Sequence, residues 1–345
     1  MILSNLYKEY KNENLKYLFA MKQRILGNSG MQVSAVGLGC MGITHASGRP
    51  MSKQDGIEII RKAYDMGYTF FDTAECYTAI YPDGSTAYNE EVVGEALRSV
   101  RNKVVIATKY GVRHGGDRLI LDSRPDTIRN SVEGSLARLG TDYIDLYYQH
   151  RIDPNVEPED VAETMAMLIK EGKIRYWGIS ETNEDYLRRA HTICPVTAVQ
   201  NRYSMMARWH ESLFPVVEEL NIAYVAFSPL ANGFLSGRYD ENFRFEQGVD
   251  FRSNMPQYTS EGFVRSRELL DLLNELARQK NATPAQISLA WMLCKNPFMI
   301  PIPGSRKTER LQENLRASEI TLITEEIAMI DTLLDKTDFL IFGGH

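Results

Sequence analysis

One apolar segment ends on a carboxylate and is followed at short range by a phenol: Phe70-Phe71-Asp72-Thr73-Ala74-Glu75-Cys76-Tyr77. Three later segments have the same form, because each is a short run rich in β-branched and aromatic residues that ends on a polar side chain. They span residues 104–109, 143–150 and 177–180. The shared pattern indicates one composite site, built where several strands end.

Outside these segments the chain alternates between strand-like runs and helical patterns. Residues 56–64, for example, place apolar side chains at the three-to-four spacing of an amphipathic helix. Eight strand-like runs are predicted, near residues 35–39, 68–72, 103–108, 143–149, 174–179, 196–200, 222–227 and 298–302. Because no change of composition marks a linker, we predict an α/β fold with a single (β/α)8 TIM barrel. A doubly wound open sheet is the alternative.

The segment before the first barrel strand predicts a β-hairpin. Residues 23–26 and 31–36 are strand-like, and the glycine-containing turn 27–30 separates them. We expect this hairpin to close the bottom of the barrel. Residues 1–20 are polar and precede Met21, where the patterned sequence begins. We therefore predict an extension over 1–20 outside the core, and one domain over 21–345.

Composition restricts the classes of partner. The chain has 345 residues, a net charge of -6 and no long basic run, which gives nucleic acid or an anionic membrane no electrostatic footprint. A small-molecule substrate is expected instead. The four cysteines have no metal-site or disulfide-framework spacing, the histidines have no metal-ligand spacing, and no signal peptide is evident. We predict a cytoplasmic protein without a metal, and the oligomeric state stays open.

Active sites of parallel barrels lie at the carboxyl ends of the strands. Asp72, Lys109 and His150 each end a strand-like run, so they should converge, with Tyr77 five residues beyond Asp72. A nearby lysine cation should lower the pKa of Tyr77 and make the phenol a usable general acid. Asp72 should keep Lys109 protonated, and His150 can donate a hydrogen bond to a carbonyl oxygen. Such a site protonates a carbonyl group, so a separate group must supply hydride.

A second candidate site follows the eighth strand-like run. Residues 300–314 predict a buried strand, a Pro-Gly turn and a helix that begins with hydroxyls and cations, a pattern typical of an anion site. Arg306 and Arg310 lie one turn apart and suit the 2′-phosphate that distinguishes NADP from NAD. The alternative is a solvated basic helix end.

The segments that carry these residues resemble motifs of the aldo-keto reductase superfamily. The similar motifs lie at residues 71–77, 107–111, 142–150 and 178–181, and the resemblance extends from about 21 to about 335. It implies reduction of aldehydes or ketones to alcohols, with hydride from NADPH. It also implies a catalytic tetrad, in which Tyr77 is the general acid and the other members are Asp72, Lys109 and His150.

The same resemblance implies a set of cofactor contacts. Ser180 and Gln200 are expected to hold the nicotinamide carboxamide, and Phe227 is expected to stack on the nicotinamide ring. The full set of expected contacts comprises Gly39, Met41, Asp72, Ser180, Gln200, Phe227, Ser228, Pro229, Leu230, Ser305, Arg306, Arg310, Glu313 and Asn314.

Residues 37–42 match G-x-G-x-x-G but do not predict a Rossmann dinucleotide site. Such a site needs a helix directly after the glycines, whereas the sequence predicts a loop over residues 43–50. In the aldo-keto reductase pattern these glycines belong to the first barrel strand and its loop.

Two segments limit what the resemblance implies about the substrate. The segment 78–88 is longer than expected for the superfamily, and the apolar tail 339–345 can dock over the barrel mouth or against a partner subunit. Aromatic residues in 78–88 favour a medium-sized apolar or aromatic aldehyde. Arg113, Arg151 and Arg202 can bind an anionic group or face solvent.

The sequence leaves two other functions open. Relatives of this fold serve beside ion channels, so an NADPH-binding regulatory or redox-sensing subunit with slow turnover is the alternative function. Lyase chemistry through a Schiff base on Lys109 is a further possibility that barrels support. Asp72 argues against it, because the carboxylate would hold the lysine protonated and non-nucleophilic.

Overall fold

Eight parallel strands form one curled sheet in a computed structural model that describes residues 22–46, 48–116 and 118–343. The strands of the protein are β1 (Gln23–Ile25), β2 (Gln32–Ser34), β3 (Leu38–Gly39), β4 (Phe70–Asp72), β5 (Thr78–Ile80), β6 (Thr86–Tyr88), β7 (Val105–Tyr110), β8 (Val112–Gly115), β9 (Arg118–Leu121), β10 (Ile144–Gln149), β11 (Ile174–Ser180), β12 (Ala198–Arg202), β13 (Ala223–Phe227) and β14 (Met299–Pro301). The parallel sheet has the order β14-β13-β12-β11-β10-β7-β4-β3.

Helices follow the barrel strands and cover the outside of the sheet. They are α1 (Met41–Thr44), α2 (Lys53–Met66), α3 (Asn89–Leu97), α4 (Pro125–Leu139), α5 (Pro158–Lys170), α6 (Glu184–Ile193), α7 (Phe214–Glu219), α8 (Ser260–Lys280), α9 (Pro284–Lys295), α10 (Thr308–Arg316) and α11 (Thr324–Lys336). Within the described ranges, no helix combines the length and the apolar character that a membrane crossing requires.

The first and last strands of the sheet meet. The backbone N–H of Gly37, just before β3, donates to the carbonyl oxygen of Pro301 in β14 at 2.9 Å. Gly39 lies so close to the chain after β14 that an added Cβ would stand 2.7 Å from the carbonyl oxygen of Ile302. The sheet therefore curls back on itself, which confirms the predicted (β/α)8 barrel over the open-sheet alternative.

The predicted N-terminal hairpin closes the bottom of this barrel. Strands β1 and β2 are antiparallel, and Leu26 and Val33 pack among the side chains of the barrel interior. In the turn, the side-chain amide of Asn28 donates to the carbonyl oxygen of Val196 at 3.1 Å, just before β12. Gly27 has a φ of +51°, and a Cβ there would stand 2.2 Å from a backbone oxygen, so this contact requires glycine.

Local sequence signals explain why individual helices begin where they do. The Thr283 hydroxyl accepts a hydrogen bond from the Gln286 N–H at 3.3 Å, while the Gln286 side chain accepts from the Thr283 N–H at 3.0 Å. This reciprocal cap, with Pro284 in the first turn, starts the nearly all-buried helix α9. Buried helices such as α9 pack against the sheet and hold in place the strands whose carboxyl ends carry the polar residues.

Two antiparallel hairpins stand at the carboxyl ends of the barrel strands. The long segment 78–88, predicted as a loop, contains the hairpin β5–β6, and a second hairpin, β8–β9, follows β7. Each hairpin exposes an apolar side chain to solvent: Ile80 of β5 is 62% exposed, and Ile120 of β9 is 46% exposed. These hairpins form the outer rim of the mouth.

Candidate active site

A buried ion pair lies at the carboxyl end of the barrel. Lys109 in β7 is fully buried, and its Nζ donates to Asp72 at the end of β4 and to the carbonyl oxygen of Thr73 at 2.7 Å. The second carboxylate oxygen of Asp72 accepts from the Gln200 side-chain amide at 2.8 Å. Both oxygens thus accept hydrogen bonds, as an ionised carboxylate does. Burial lowers the pKa of Lys109, but the Asp72 carboxylate and the Tyr77 hydroxyl outweigh that effect and hold the pKa above its ordinary value.

The Tyr77 hydroxyl lies 3.5 Å from the Lys109 Nζ. Two donors fix the backbone of this loop residue, because the carbonyl oxygen of Tyr77 accepts from the Thr44 hydroxyl at 3.2 Å and from the Asn89 N–H at 3.1 Å. Burial raises the pKa of Tyr77 to about 12, and the opposing effect of the Lys109 cation is smaller. The predicted direction of this pKa shift was therefore wrong, because loss of solvent contact outweighs the nearby charge. At neutral pH the phenol keeps its proton.

His150 lies directly beside the phenol. Its ring is 5.7 Å from the Tyr77 ring in an edge-on arrangement, and its Nδ1 is 3.5 Å from the Cys76 Sγ. Burial, followed by the charges of Arg151 and Lys109, holds the pKa of His150 well below its ordinary value. The imidazole is therefore neutral near pH 7 and keeps one N–H that can donate a hydrogen bond.

The structure thus brings all four residues of the predicted tetrad together. Sequence periodicity placed Asp72, Lys109 and His150 at the ends of strands, and the loop after β4 returns Tyr77 to the same point. The site combines one protonated phenol, one buried cation held by a carboxylate, and one neutral imidazole. This arrangement can protonate a carbonyl oxygen and stabilise the charge left on the phenol.

The residues expected around a nicotinamide ring border this cluster. Ser180 ends β11 and is buried, and its hydroxyl accepts from Arg151 Nη1 at 3.2 Å. Phe227 ends β13 and is partly buried. Gly39 pairs in register with Asp72, which places β3 and the following Met41 beside the ion pair. Gln200 differs from the expectation in one respect, because its amide donates to Asp72.

The chain turns sharply after two of these strands. Glu181, directly after Ser180, has a φ of +53°, and Ser228, directly after Phe227, has a φ of +51°. Left-handed backbone is unfavourable for residues with a side chain and concentrates at ligand sites. The second turn leads into Pro229 and Leu230, which were predicted to contact a cofactor.

The predicted phosphate site contains two arginine nitrogens without a hydrogen-bond partner among the described residues. The Nε of Arg306 donates to the Gly42 carbonyl oxygen, and its Nη1 donates to that of Arg49 at 2.7 Å. The Nη2 of Arg306 and the Nε of Arg310 are buried, and neither has a hydrogen-bond partner in the described part of the chain. Buried N–H donors usually have a partner, so these two fit an anionic group such as a phosphate.

Three other residues were predicted to contact the cofactor near Arg306 and Arg310. Asn314 is buried nearby on α10, and the Ser305 hydroxyl accepts from the Lys307 N–H at 3.1 Å. The Glu313 carboxylate accepts from the Thr283 hydroxyl at 2.7 Å and pairs with Arg238. Glu313 therefore links α10, on which it lies, to the start of α9 and to the chain after β13.

The glycine-rich segment does not begin a long helix. One helical turn, α1, begins at Met41 within this segment and ends at Thr44, where the sequence predicted a loop over 43–50. The next helix begins at Lys53. A Rossmann site requires a full helix at this point. The structure thus agrees with the prediction that residues 37–42 do not form a Rossmann dinucleotide site.

Comparison with known proteins decides the family. The model of the Aldo/keto reductase family matches residues 35–335. The chain belongs to this family. A protein of Glycine max named "Probable aldo-keto reductase 1" is 38% identical over 311 residues, which cover 88% of this chain and 86% of the relative.

Solved aldo-keto reductase structures have the same architecture. The glycerol dehydrogenase of Gluconobacter oxydans superposes with a TM-score of 0.82 at 26% identity, covering 95% of this chain and 99% of the other. The holo form of an aldo-keto reductase of Bacillus halodurans gives a TM-score of 0.72 at 26% identity, covering 94% and 99%. Aldo-keto reductases are oxidoreductases of carbonyl compounds and generally bind NAD(P)H. The regulatory-subunit alternative is not favoured by these comparisons.

Three residues of the mouth had no predicted role in this aldo-keto reductase. The His45 ring stacks on the Tyr77 ring at 5.9 Å, and the His114 ring lies 5.1 Å from that of His45. Cys76 contacts His150. The rule that strand ends converge could have found His45, because it follows the first barrel strand. No comparable signal marked His114, because its position depends on the unpredicted hairpin β8–β9.

Proposed function

We propose that the protein is an NADPH-dependent reductase that converts aldehydes or ketones to alcohols, with Tyr77 as the general acid. The observation that carries this proposal is the buried ion pair between Lys109 and Asp72. The Nζ of Lys109 lies 3.5 Å from the Tyr77 hydroxyl. The neutral His150, whose ring packs edge-on against the Tyr77 ring, supports it. Family membership supports the reaction class.

Each side chain of the tetrad has a distinct task in this proposal. NADPH, when bound, supplies the hydride to the carbonyl carbon. Tyr77 gives its proton to the carbonyl oxygen, and His150 donates a hydrogen bond to that oxygen and orients it. Lys109 stabilises the phenolate that remains on Tyr77. Asp72 keeps Lys109 charged in its buried position.

The cofactor is proposed to lie between the tetrad and α10. Arg306 and Arg310 would bind its 2′-phosphate with the donors that lack partners, because arginine favours phosphate oxygens. Ser180 and Phe227 would hold the nicotinamide end. Glu313 would contribute mainly by holding α10 in place, since its oxygens are already hydrogen-bonded.

Replacement of Arg306 by alanine should reduce selectivity for NADPH. The change removes a charge-assisted contact to the 2′-phosphate, so the Kd of NADPH should rise about 10- to 100-fold. NADH lacks that phosphate, so its Kd should change little, and fluorescence titration with both cofactors measures the difference. Arg316→Ala is the matched control, because Arg316 ends α10, the helix that follows Arg306, is exposed and pairs with Glu319. Equal losses for the two cofactors would contradict the assignment.

The pH dependence of reduction should show no change in the neutral range. Tyr77 must carry its proton to act as an acid, so activity is lost only as the pH rises toward the raised pKa of about 12. His150 stays neutral, because its pKa lies well below the ordinary value of about 6.5. Alcohol oxidation needs the phenolate and should therefore rise with pH. Profiles of kcat/KM in both directions test this, and an inflection of reduction between about pH 6 and 8 would count against neutral His150.

The remaining expectations from the sequence are part of the proposal. The substrate is a small carbonyl compound, the catalytic domain spans 21–345, and the setting is cytoplasmic, where cysteines stay reduced. The prediction for residues 1–20 lies outside the described residues.

The test of the proposed function is a cofactor-oxidation assay. Purified protein is mixed with NADPH or NADH and a panel of aldehydes, ketones and diketones, and loss of NADPH absorbance is followed while alcohols are identified by mass spectrometry. The proposal predicts turnover with a preference for NADPH. Tight NADPH binding without alcohol from any carbonyl compound would favour the regulatory alternative.

A further inference from the structure

A guanidinium group is buried at the barrel mouth, and two of its nitrogens have no hydrogen-bond partner in the described part of the chain. Arg202 is the last residue of β12, and only 5% of its surface is exposed. Its Nε and Nη1 are buried and reach no acceptor among residues 22–46, 48–116 and 118–343. Burial of an unpaired cation is strongly unfavourable, so an anion is the expected partner for this group.

The position of Arg202 on its strand directs it toward the active site. Side chains alternate along a strand, so Arg202 lies on the same face as Gln200, whose amide reaches Asp72 inside the barrel. Arg202 is two residues nearer the carboxyl end. Its Cζ lies 4.9 Å from the centroid of the Phe227 ring and 5.6 Å from that of Phe342.

A second arginine faces the same ring. The Cζ of Arg151 lies 5.8 Å from the Phe227 centroid. Its Nη1 donates to the carbonyl oxygen of His150 at 2.7 Å and to the Ser180 hydroxyl at 3.2 Å. One arginine is thus anchored on the backbone of the proposed catalytic histidine, and both lie within 6 Å of the residue proposed to stack on nicotinamide.

The neighbouring Glu181 carboxylate does not accept a hydrogen bond from Arg202 Nε or Nη1. The Oε1 of Glu181 accepts from the backbone N–H of Arg202 at 2.7 Å and lies 3.8 Å from His210 Nε2. Burial and the charge of Arg151 lower the pKa of Arg202 to about 10, against the opposing effect of Glu181. An anion beside the two guanidinium groups would offset the cost of burying the Arg202 charge and would also pair with the half-buried Arg151.

We infer that Arg202, with Arg151 beside it, binds an anionic group on the substrate, so that the enzyme acts on carbonyl compounds carrying a carboxylate or a phosphate. The inference rests on the proposed function and adds a substrate class to it. It adds an anionic group to the medium-sized apolar or aromatic aldehyde expected from the sequence of 78–88. The phosphates of a dinucleotide have the same chemistry, but the donors that fit the 2′-phosphate are on Arg306 and Arg310, so the substrate is assigned to Arg202.

The test compares a charged aldehyde with its neutral isostere. Values of kcat/KM are measured for 4-carboxybenzaldehyde and 4-nitrobenzaldehyde with wild type and Arg202→Leu. The ratio between the two aldehydes is compared across proteins, which cancels their intrinsic reactivities. Loss of a charge-assisted contact should lower the carboxylate-to-nitro ratio about 10- to 100-fold in Arg202→Leu. Arg202→Gln, which keeps polar donors, serves as a second variant if the leucine does not fold.

Arg113→Leu is the matched control. It removes the same charge from an arginine on β8 at the same mouth, but the Arg113 side chain is 69% exposed. Exposed charges contribute little in water, so its aldehyde ratio should stay within about threefold of wild type. An equal fall in both variants would mean general electrostatic attraction and would overturn the assignment to Arg202.

A binding measurement separates failure of this inference from failure of the proposed function. Calorimetric titration with benzoate needs no turnover, and its Kd should rise at least about 10-fold in Arg202→Leu and not in Arg113→Leu. A Kd for benzoate that is unchanged in Arg202→Leu overturns the inference. So does a rise in the Kd of NADPH with an unchanged aldehyde ratio, because the anion at Arg202 would then belong to the cofactor. Benzoate binding that depends on Arg202 without reduction of either aldehyde would refute the reductase proposal alone.

Discussion

Replacing Tyr77 by phenylalanine should reduce kcat for carbonyl reduction by about 100- to 10,000-fold, the usual contribution of a positioned general acid. The hydroxyl is the group aligned with Lys109 at 3.5 Å, and a phenyl ring cannot give a proton to the carbonyl oxygen. The ring itself remains, so its edge-on packing with His150 is kept. The Kd of NADPH and the thermal midpoint should therefore change little. Steady-state kinetics, fluorescence titration and thermal unfolding of the same preparation measure the three quantities.

Tyr81→Phe provides the control for this change. Tyr81 lies in the turn after β5, and its hydroxyl is buried without a hydrogen-bond partner in the described ranges. Like Tyr77→Phe, Tyr81→Phe removes a phenolic hydroxyl near the mouth, but kcat should stay within about twofold of wild type. If Tyr77→Phe were equally active, Tyr77 would not be the acid.

Replacing Lys109 by methionine should eliminate activity and also destabilise the fold. The change leaves the Asp72 carboxylate buried without its cation, which typically costs about 3–5 kcal/mol in the free energy of unfolding. Activity is lost because no cation remains to stabilise the phenolate of Tyr77. Urea unfolding and kcat/KM measure the two effects.

The double variant Asp72→Asn with Lys109→Met separates stability from catalysis. It removes both buried charges, so it should recover at least half of the lost stability while remaining inactive. Lys53→Met, which breaks exposed pairs with Glu91 and Glu95, should change stability by no more than about 0.5 kcal/mol. A Lys109→Met protein as stable as wild type would show that the ion pair does not hold Asp72 in the way proposed.

Periodicity and strand ends were sufficient to predict most of the architecture. All eight predicted barrel strands are present, from β3 to β14, because parallel barrel strands are nearly continuous apolar runs between helices. The turn at residues 27–30 predicted the hairpin that closes the bottom. The convergence of Asp72, Lys109 and His150 followed from the barrel alone, since all carboxyl ends of its strands share one face.

Properties that depend on three-dimensional packing were not predictable in the same way. The pKa of Tyr77 depends on how far the surrounding loops exclude water, and the sequence showed only the nearby lysine. The hairpin β5–β6 lies in a segment whose pattern indicated only a long loop. The burial of Arg202 depends on Phe227 and on the tail residue Phe342, which are distant in sequence. The expectation that the tail docks at the mouth agrees with Phe342, whose N–H donates to the Gln257 side chain at 3.1 Å.

The most direct test of the proposed reaction is a single turnover with NADPH that carries deuterium at C4 of the nicotinamide. Each of the two C4 stereoisomers is mixed with excess protein and an aldehyde, and the alcohol is analysed by mass spectrometry. If Tyr77 is the general acid, deuterium appears on the carbinol carbon from one stereoisomer with wild type, and almost none appears within the same time with Tyr77→Phe. Bound NADPH that yields no deuterated alcohol from any aldehyde or ketone, or equal transfer by the Tyr77→Phe protein, would contradict it.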